Sequence, residues 1–90
     1  MRKNKQNYPH FRKYKKSGHP ALIVGEYLLN NKEYTYRKVS HSERDGRHIN
    51  EKVYPNPNPL DKKPMYIAKR QRHDLKSNFS TWQYPWKYKK

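Results

Sequence analysis

Ninety residues, of which 31% are hydrophobic and nine are tyrosine, allow one domain with a small core. The absence of cysteine excludes a disulfide framework and a thiolate zinc site, and the longest apolar run, residues 21–24, is far short of the about 20 residues of a membrane helix. The net charge of +15 is sorted by position: residues 1–16 carry seven Lys/Arg and no acid, residues 17–60 six against five, and residues 61–90 nine against two, giving +7, +1 and +7.

The first segment, residues 1–16, has no sustained period of 2 or 3.6, and Pro9 interrupts any helix. It reads as a flexible basic arm over residues 1–17, with Tyr8, Phe11 and Tyr14 as anchors and Ser17-Gly18 as the boundary. Residues 18–90 then form a single small β domain. Ala21, Leu22, Ile23 and Val24, bounded by Gly18 and Gly25, read as a buried strand that Tyr27, Leu28 and Leu29 extend past a bend at Gly25. Asn30, Asn31 and Lys32 are expected to turn the chain. Residues 33–39 follow as the second strand of a hairpin, with Tyr34, Tyr36 and Lys38 on one face and Thr35, Arg37 and Val39 on the other.

Residues 40–48 are polar, with Asp45-Gly46 as a turn signal. A third strand is expected over residues 49–54. Pro55, Pro57 and Pro59 then hold the chain extended and outside a central ladder. Residues 65–70 read as a fourth strand and residues 73–77 as one helical turn. In the tail, Trp82, Tyr84, Trp86 and Tyr88 alternate, so a last strand would set all four on one face. With aliphatics scarce, Phe79 and the tryptophans are expected in the core. The fold class is mainly β: a small antiparallel SH3-like or OB-like partial barrel with a flexible basic N-terminal arm.

Two basic flanks around a near-neutral middle point to a polyanionic partner, and the interleaved aromatics make nucleic acid the leading one, RNA or DNA. Phosphate contacts are expected from Arg2, Lys3, Lys5, Arg12, Lys13, Lys15, Lys16, Lys69, Arg70 and Arg72, with tail aromatics able to stack on unpaired bases. An acidic protein partner and a homodimer are further readings of the same charge. The cluster around His41, with Ser40, Arg44 and the earlier His19, suits phosphodiester chemistry: imidazole moves protons near neutral pH and guanidinium holds phosphate oxygens. A solvated loop accounts for the same residues. Binding without catalysis is the first expectation and metal-independent RNA cleavage the alternative. The five histidines match no metal-ligand spacing, so neither metal nor cofactor is expected. Nothing apolar follows Met1-Arg2-Lys3, so a cytoplasmic protein without membrane contact is expected.

Gly18-His19-Pro20-Ala21-Leu22-Ile23-Val24, followed by Val39-Ser40-His41-Ser42, resembles the start of PemK/MazF-type toxins, with His19 where that family usually has Arg. That resemblance implies an SH3-like barrel that cleaves RNA as a dimer. Over residues 18–86 the chain also resembles small basic proteins of bacterial mobile elements, including their Asn-Pro-Asn-Pro-x-x-Asp segment, here Asn56-Pro57-Asn58-Pro59-Leu60-Asp61.

Overall fold

The structure, a computed structural model, describes residues 8–88. Its main element is a six-stranded antiparallel sheet built on strand β2 (Pro20–Tyr27), which lies between β1 (His10–Lys13) and β3 (Asn30–Ser40). The far edge of β3 is shared by β8 (Arg72–Leu75) along residues 33–36 and by β7 (Met65–Ile67) at Val39 and Ser40, and β6 (Glu51–Val53) pairs with β7. A separate two-stranded hairpin, β4 (Arg44–Asp45) and β5 (His48–Ile49), turns at Gly46, whose φ of 64° favours a residue without a Cβ. The sheet is open; its edges do not meet as a barrel.

β-branched and aliphatic residues make β2 a strand, and Pro20 at its first position costs no interior ladder bond. Ala21, Leu22 and Ile23 are all buried, so both faces of the strand are covered. On one face Leu22 packs with Phe11, Val39, Val53, Met65 and Ile67. On the other, Ala21 and Ile23 pack with Tyr34, Tyr36 and Phe79. The bend at Gly25 is a bulge in which Val24 is the extra residue between the pairs Ile23 with Tyr36 and Gly25 with Thr35.

Four expectations need correction. Residues 8–16 are not an arm: Phe11 is fully buried beside Leu22, and Tyr8 and Tyr14 pack on the second core. A four-residue strand has too short a pattern to show a period, and only its pairing with β2 reveals it. The part of the expected arm at residues 1–7 lies outside the described residues. The hairpin turns at Leu28 and Leu29, both exposed, because Tyr27 pairs with Asn30 and the asparagines are drawn into β3. The expected helical turn is strand β8 followed by a short 3₁₀ turn (Lys76–Asn78), since β3 offers residues 72–75 a ladder that local propensity does not register. The tail is no continuous strand: beyond its bridges at Phe79 and Tyr84, Pro85 removes a donor. Tyr84, Trp86 and Tyr88 nevertheless pack against the first core, while Trp82 is half exposed.

Polar groups tie the ends of the chain to the sheet. Arg37 donates to the Ala68 carbonyl at 2.6 Å and to Glu51 at 2.7 Å, and the Tyr88 hydroxyl donates to the same carboxylate at 2.8 Å. On the opposite face the Tyr14 hydroxyl donates to Asp74, which also accepts from Asn78 at 2.8 Å and pairs with Lys16 at 3.2 Å. Burial alone would raise the Asp74 pKa, but the bonds from Tyr14, the Leu75 backbone, Asn78 and Lys16 outweigh it and hold the carboxyl at about 2, below its ordinary 3.8.

Two outcomes follow from this anchoring. Phe11→Ala should cost about 3–5 kcal/mol and remove most of the stability of a domain this small, as read from a denaturant titration, with Lys13→Ala near neutral. Because the folded pKa of Asp74 lies below the unfolded one, its contribution is present above pH about 4 and lost as pH falls toward about 2. The difference between about 2 and 3.8 corresponds to about 2 kcal/mol, and in Asp74→Asn the acid limb of stability between those pH values should flatten.

Candidate functional site

The end of β3 carries the candidate chemistry, since Ser40 is its last residue and His41 the first beyond it. Facing them is the proline-rich loop, folded by short-range amide bonds. Asn56 donates to the Lys63 carbonyl at 2.9 Å and accepts from the Asn58 backbone at 2.8 Å; Asn58 accepts from the Leu60 backbone at 3.1 Å. These turns set Asp61 opposite His41, with His41 Nε2 2.8 Å from Asp61 Oδ2. The bond from His41, then that from the Lys63 backbone, lowers the Asp61 pKa, so the carboxylate is the acceptor and Nε2 the donor. In the neutral ring this tautomer leaves Nδ1 as a proton acceptor.

Together these groups border a cleft of about 290 Å³. Its apolar lining is Pro20, Val39, Met65, Tyr84 and Trp86, and its polar lining is His19, Ser40, His41, Asn56, Asn58 and Asp61. Tyr84 and Trp86 stack on one another at 4.0 Å, and Trp86 meets the buried Phe11 edge-on. Three of the four sequence-predicted catalytic residues, His19, Ser40 and His41, therefore share one cleft. Arg44 does not: it lines a smaller concavity on the other side of Ser40, with Lys38, Asp45 and Asn50. Asp61 is not among the site residues expected from sequence, because its partner His41 lies 20 positions away.

The cations sort differently from the expectation. Arg12 is buried: it donates to the Ser80 carbonyl at 2.9 Å and lies 5.4 Å over the Tyr34 ring, so it serves the fold and is unavailable to phosphate. Lys16 is engaged by Asp74. Lys13 and Lys15 are exposed, and Arg2, Lys3 and Lys5 lie outside the described residues. Lys69, Arg70 and Arg72 are exposed and, with Arg47, His48 and the buried Asn50, line a concavity of about 280 Å³.

A further concavity of about 380 Å³, holding Lys38 and Arg72, shares His19, Pro20, Val39 and Ser40 with the cleft. The depressions thus form one continuous track. It starts at the aromatic cleft, crosses Ser40 and Lys38, and reaches Arg44, Arg47, Lys69, Arg70 and Arg72. Among the described residues, none of these six cations pairs with a carboxylate, and beyond the cleft Asp45 is the one acid lining the track. Lys38 and Arg47 were missed as binding residues because they lie in the near-neutral middle of the sequence, where only folding sets them beside the basic C-terminal block.

Among the described residues no three His, Asp or Glu side chains converge as a metal site would need, and no helix is long and apolar enough to cross a membrane. Comparison with protein-family models, with curated proteins and with solved structures finds no match for this chain.

Proposed function

We propose that this protein binds nucleic acid through phosphate contacts along the track of Lys38, Arg44, Arg47, Lys69, Arg70 and Arg72. The observation that carries this reading is that these exposed cations lie in adjoining depressions without carboxylate partners among the described residues. A surface cation with no protein partner gains most from neutralising phosphate, which releases condensed counterions. Ion pairs elsewhere, such as Lys76 with Glu26 at 2.7 Å, mark where the protein has already used its charge.

Six phosphate contacts give a slope of log K against log salt near −5 on duplex DNA, at about −0.9 per contact. The triple variant Arg47→Ala, Lys69→Ala, Arg70→Ala should reduce that slope by roughly 2–3 without changing thermal stability. A wild-type slope shallower than about −2 would set these charges against something other than phosphate, such as an acidic protein.

A second reading, RNA cleavage, is favoured by His19, Ser40 and His41 sharing one cleft with Asp61 on the His41 ring. In this reaction the His41 Nδ1 takes the proton of a ribose 2′-hydroxyl, whose oxygen attacks the adjacent phosphorus. The 5′-oxygen leaves with a proton from His19, giving a 2′,3′-cyclic phosphate. Incubation of RNA with the protein in chelator separates the readings. Intact RNA supports binding alone. Cleavage that falls roughly 10²–10⁴-fold in His41→Ala, with binding retained, establishes the second reading.

A further inference from the structure

We propose that the cleft beside His41 seats a single unpaired nucleotide, so that the protein prefers single-stranded over duplex nucleic acid. This rests on the reading that the track binds phosphates, and adds to it a subsite that reads strandedness. Three observations carry it.

The cleft holds about 290 Å³, near the low end of the roughly 300–1,000 Å³ of small-molecule sites. One nucleotide fits a space of that order, and paired bases inside a duplex cannot enter it.

Its lining is that of a base site. Tyr84 and Trp86, half-buried and stacked, form an aromatic wall with Pro20, Val39 and Met65 beside it. Phe11 and the first core hold this wall in place. Every base has an apolar face that suits such a wall, whatever its sequence. Around it lie polar groups with capacity to spare. Among the described residues Asn58 Nδ2 donates to no acceptor, and the Ser40 hydroxyl, which accepts from the Ser42 backbone at 3.2 Å, donates to none. Either can meet a base edge.

The polarity of the cleft orients the guest. Asp61 keeps a negative charge at one side, which disfavours phosphate there. His19, Pro20, Val39 and Ser40 of the same lining are shared with the depression that holds Lys38 and Arg72. A nucleotide with its base on the aromatic wall has its phosphates on the side where the cationic track begins. The aromatic-rich tail, otherwise only a cover for the first core, thereby gains a role in recognition.

The test uses the full chain with Trp82→Phe, which leaves Trp86 as the sole tryptophan reporter. The probes are a 12-nucleotide single-stranded DNA and the blunt duplex of the same sequence; DNA lacks the 2′-hydroxyl and is not consumed by the second reading's chemistry. The single strand should quench Trp86 and bind roughly tenfold or more tightly than the duplex at equal salt. Because Trp86 packs on Phe11, the cleft is blocked by Asn58→Phe, which fills it from the proline-rich loop at a position that lines none of the track's other depressions. This variant should abolish the quenching and the strand preference while duplex affinity and the melting profile stay as they were. Equal affinity for both forms, with no change in Trp86 emission or none that Asn58→Phe removes, overturns the subsite and leaves the track reading standing. Absence of binding to either probe at low salt overturns both.

Discussion

Everything else in this structure depends on β2 being apolar on both faces. Three consecutive buried residues, Ala21, Leu22 and Ile23, require cover above and below the sheet. An aliphatic-poor chain supplies much of that cover with aromatics, and most of these are in its two basic ends. Phe11 therefore goes to one face, and Tyr8 and Tyr14 to the other. From the far end Phe79 joins the second core, while Tyr84, Trp86 and Tyr88 close over the first. The described parts of the two charged ends are thus folded into the body by their rings. A bridge between Phe11 and Tyr84 brings them together.

That packing decides which charges remain available. Burying β1 takes Arg12 with it, and the guanidinium is satisfied by the Ser80 carbonyl and the Tyr34 ring. Arg37, in the middle of β3, is consumed by Glu51 and the Ala68 carbonyl. Lys16 is taken up by Asp74. A buried cation left unpaired costs several kcal/mol, so the pairings of Arg12 and Arg37 are a condition of folding, whereas Lys16, largely exposed, gains far less from Asp74. Six cations outside such networks, Lys38, Arg44, Arg47, Lys69, Arg70 and Arg72, line adjoining depressions where β3, the β4–β5 hairpin and the chain entering β8 meet. The available positive charge is a residue of the fold's own electrostatic demands.

The cleft arises from the same constraint. Its aromatic wall is part of the lid over the first core, its floor includes Val39 and Met65 of that core, and its polar side is the end of β3 facing the proline-rich loop. Prolines 55, 57 and 59 keep that loop out of the ladder, and its asparagines satisfy backbone groups locally, so Asp61 is presented to His41. Structural stability and candidate chemistry therefore share residues, which is why a change at Trp86 tests both and a change at Asn58 separates them.

The mainly β class, the antiparallel arrangement, the bend at Gly25, the turn at Gly46 and the strand nature of β2, β3, β6 and β7 were legible from local signals. Alternation, β-branching and turn chemistry act over a few residues, and a sequence displays them directly. The grouping of His19, Ser40 and His41 was legible as chemistry, since residue type alone suggests proton transfer. What the sequence concealed depends on partners far along the chain. β1 and β8 are short strands whose identity comes from the ladders of β2 and β3. Arg12 reads as a binding cation until Ser80, 68 positions later, is placed against it. Asp61 reads as a loop acid until it meets His41, and Lys38 and Arg47 read as parts of a neutral middle until Arg70 and Arg72 are folded beside them. The sequence by itself determined which residues carry charge, rings and strand propensity. Only the tertiary structure decided which charges are spent inside the fold, because burial and pairing are properties of neighbours in space.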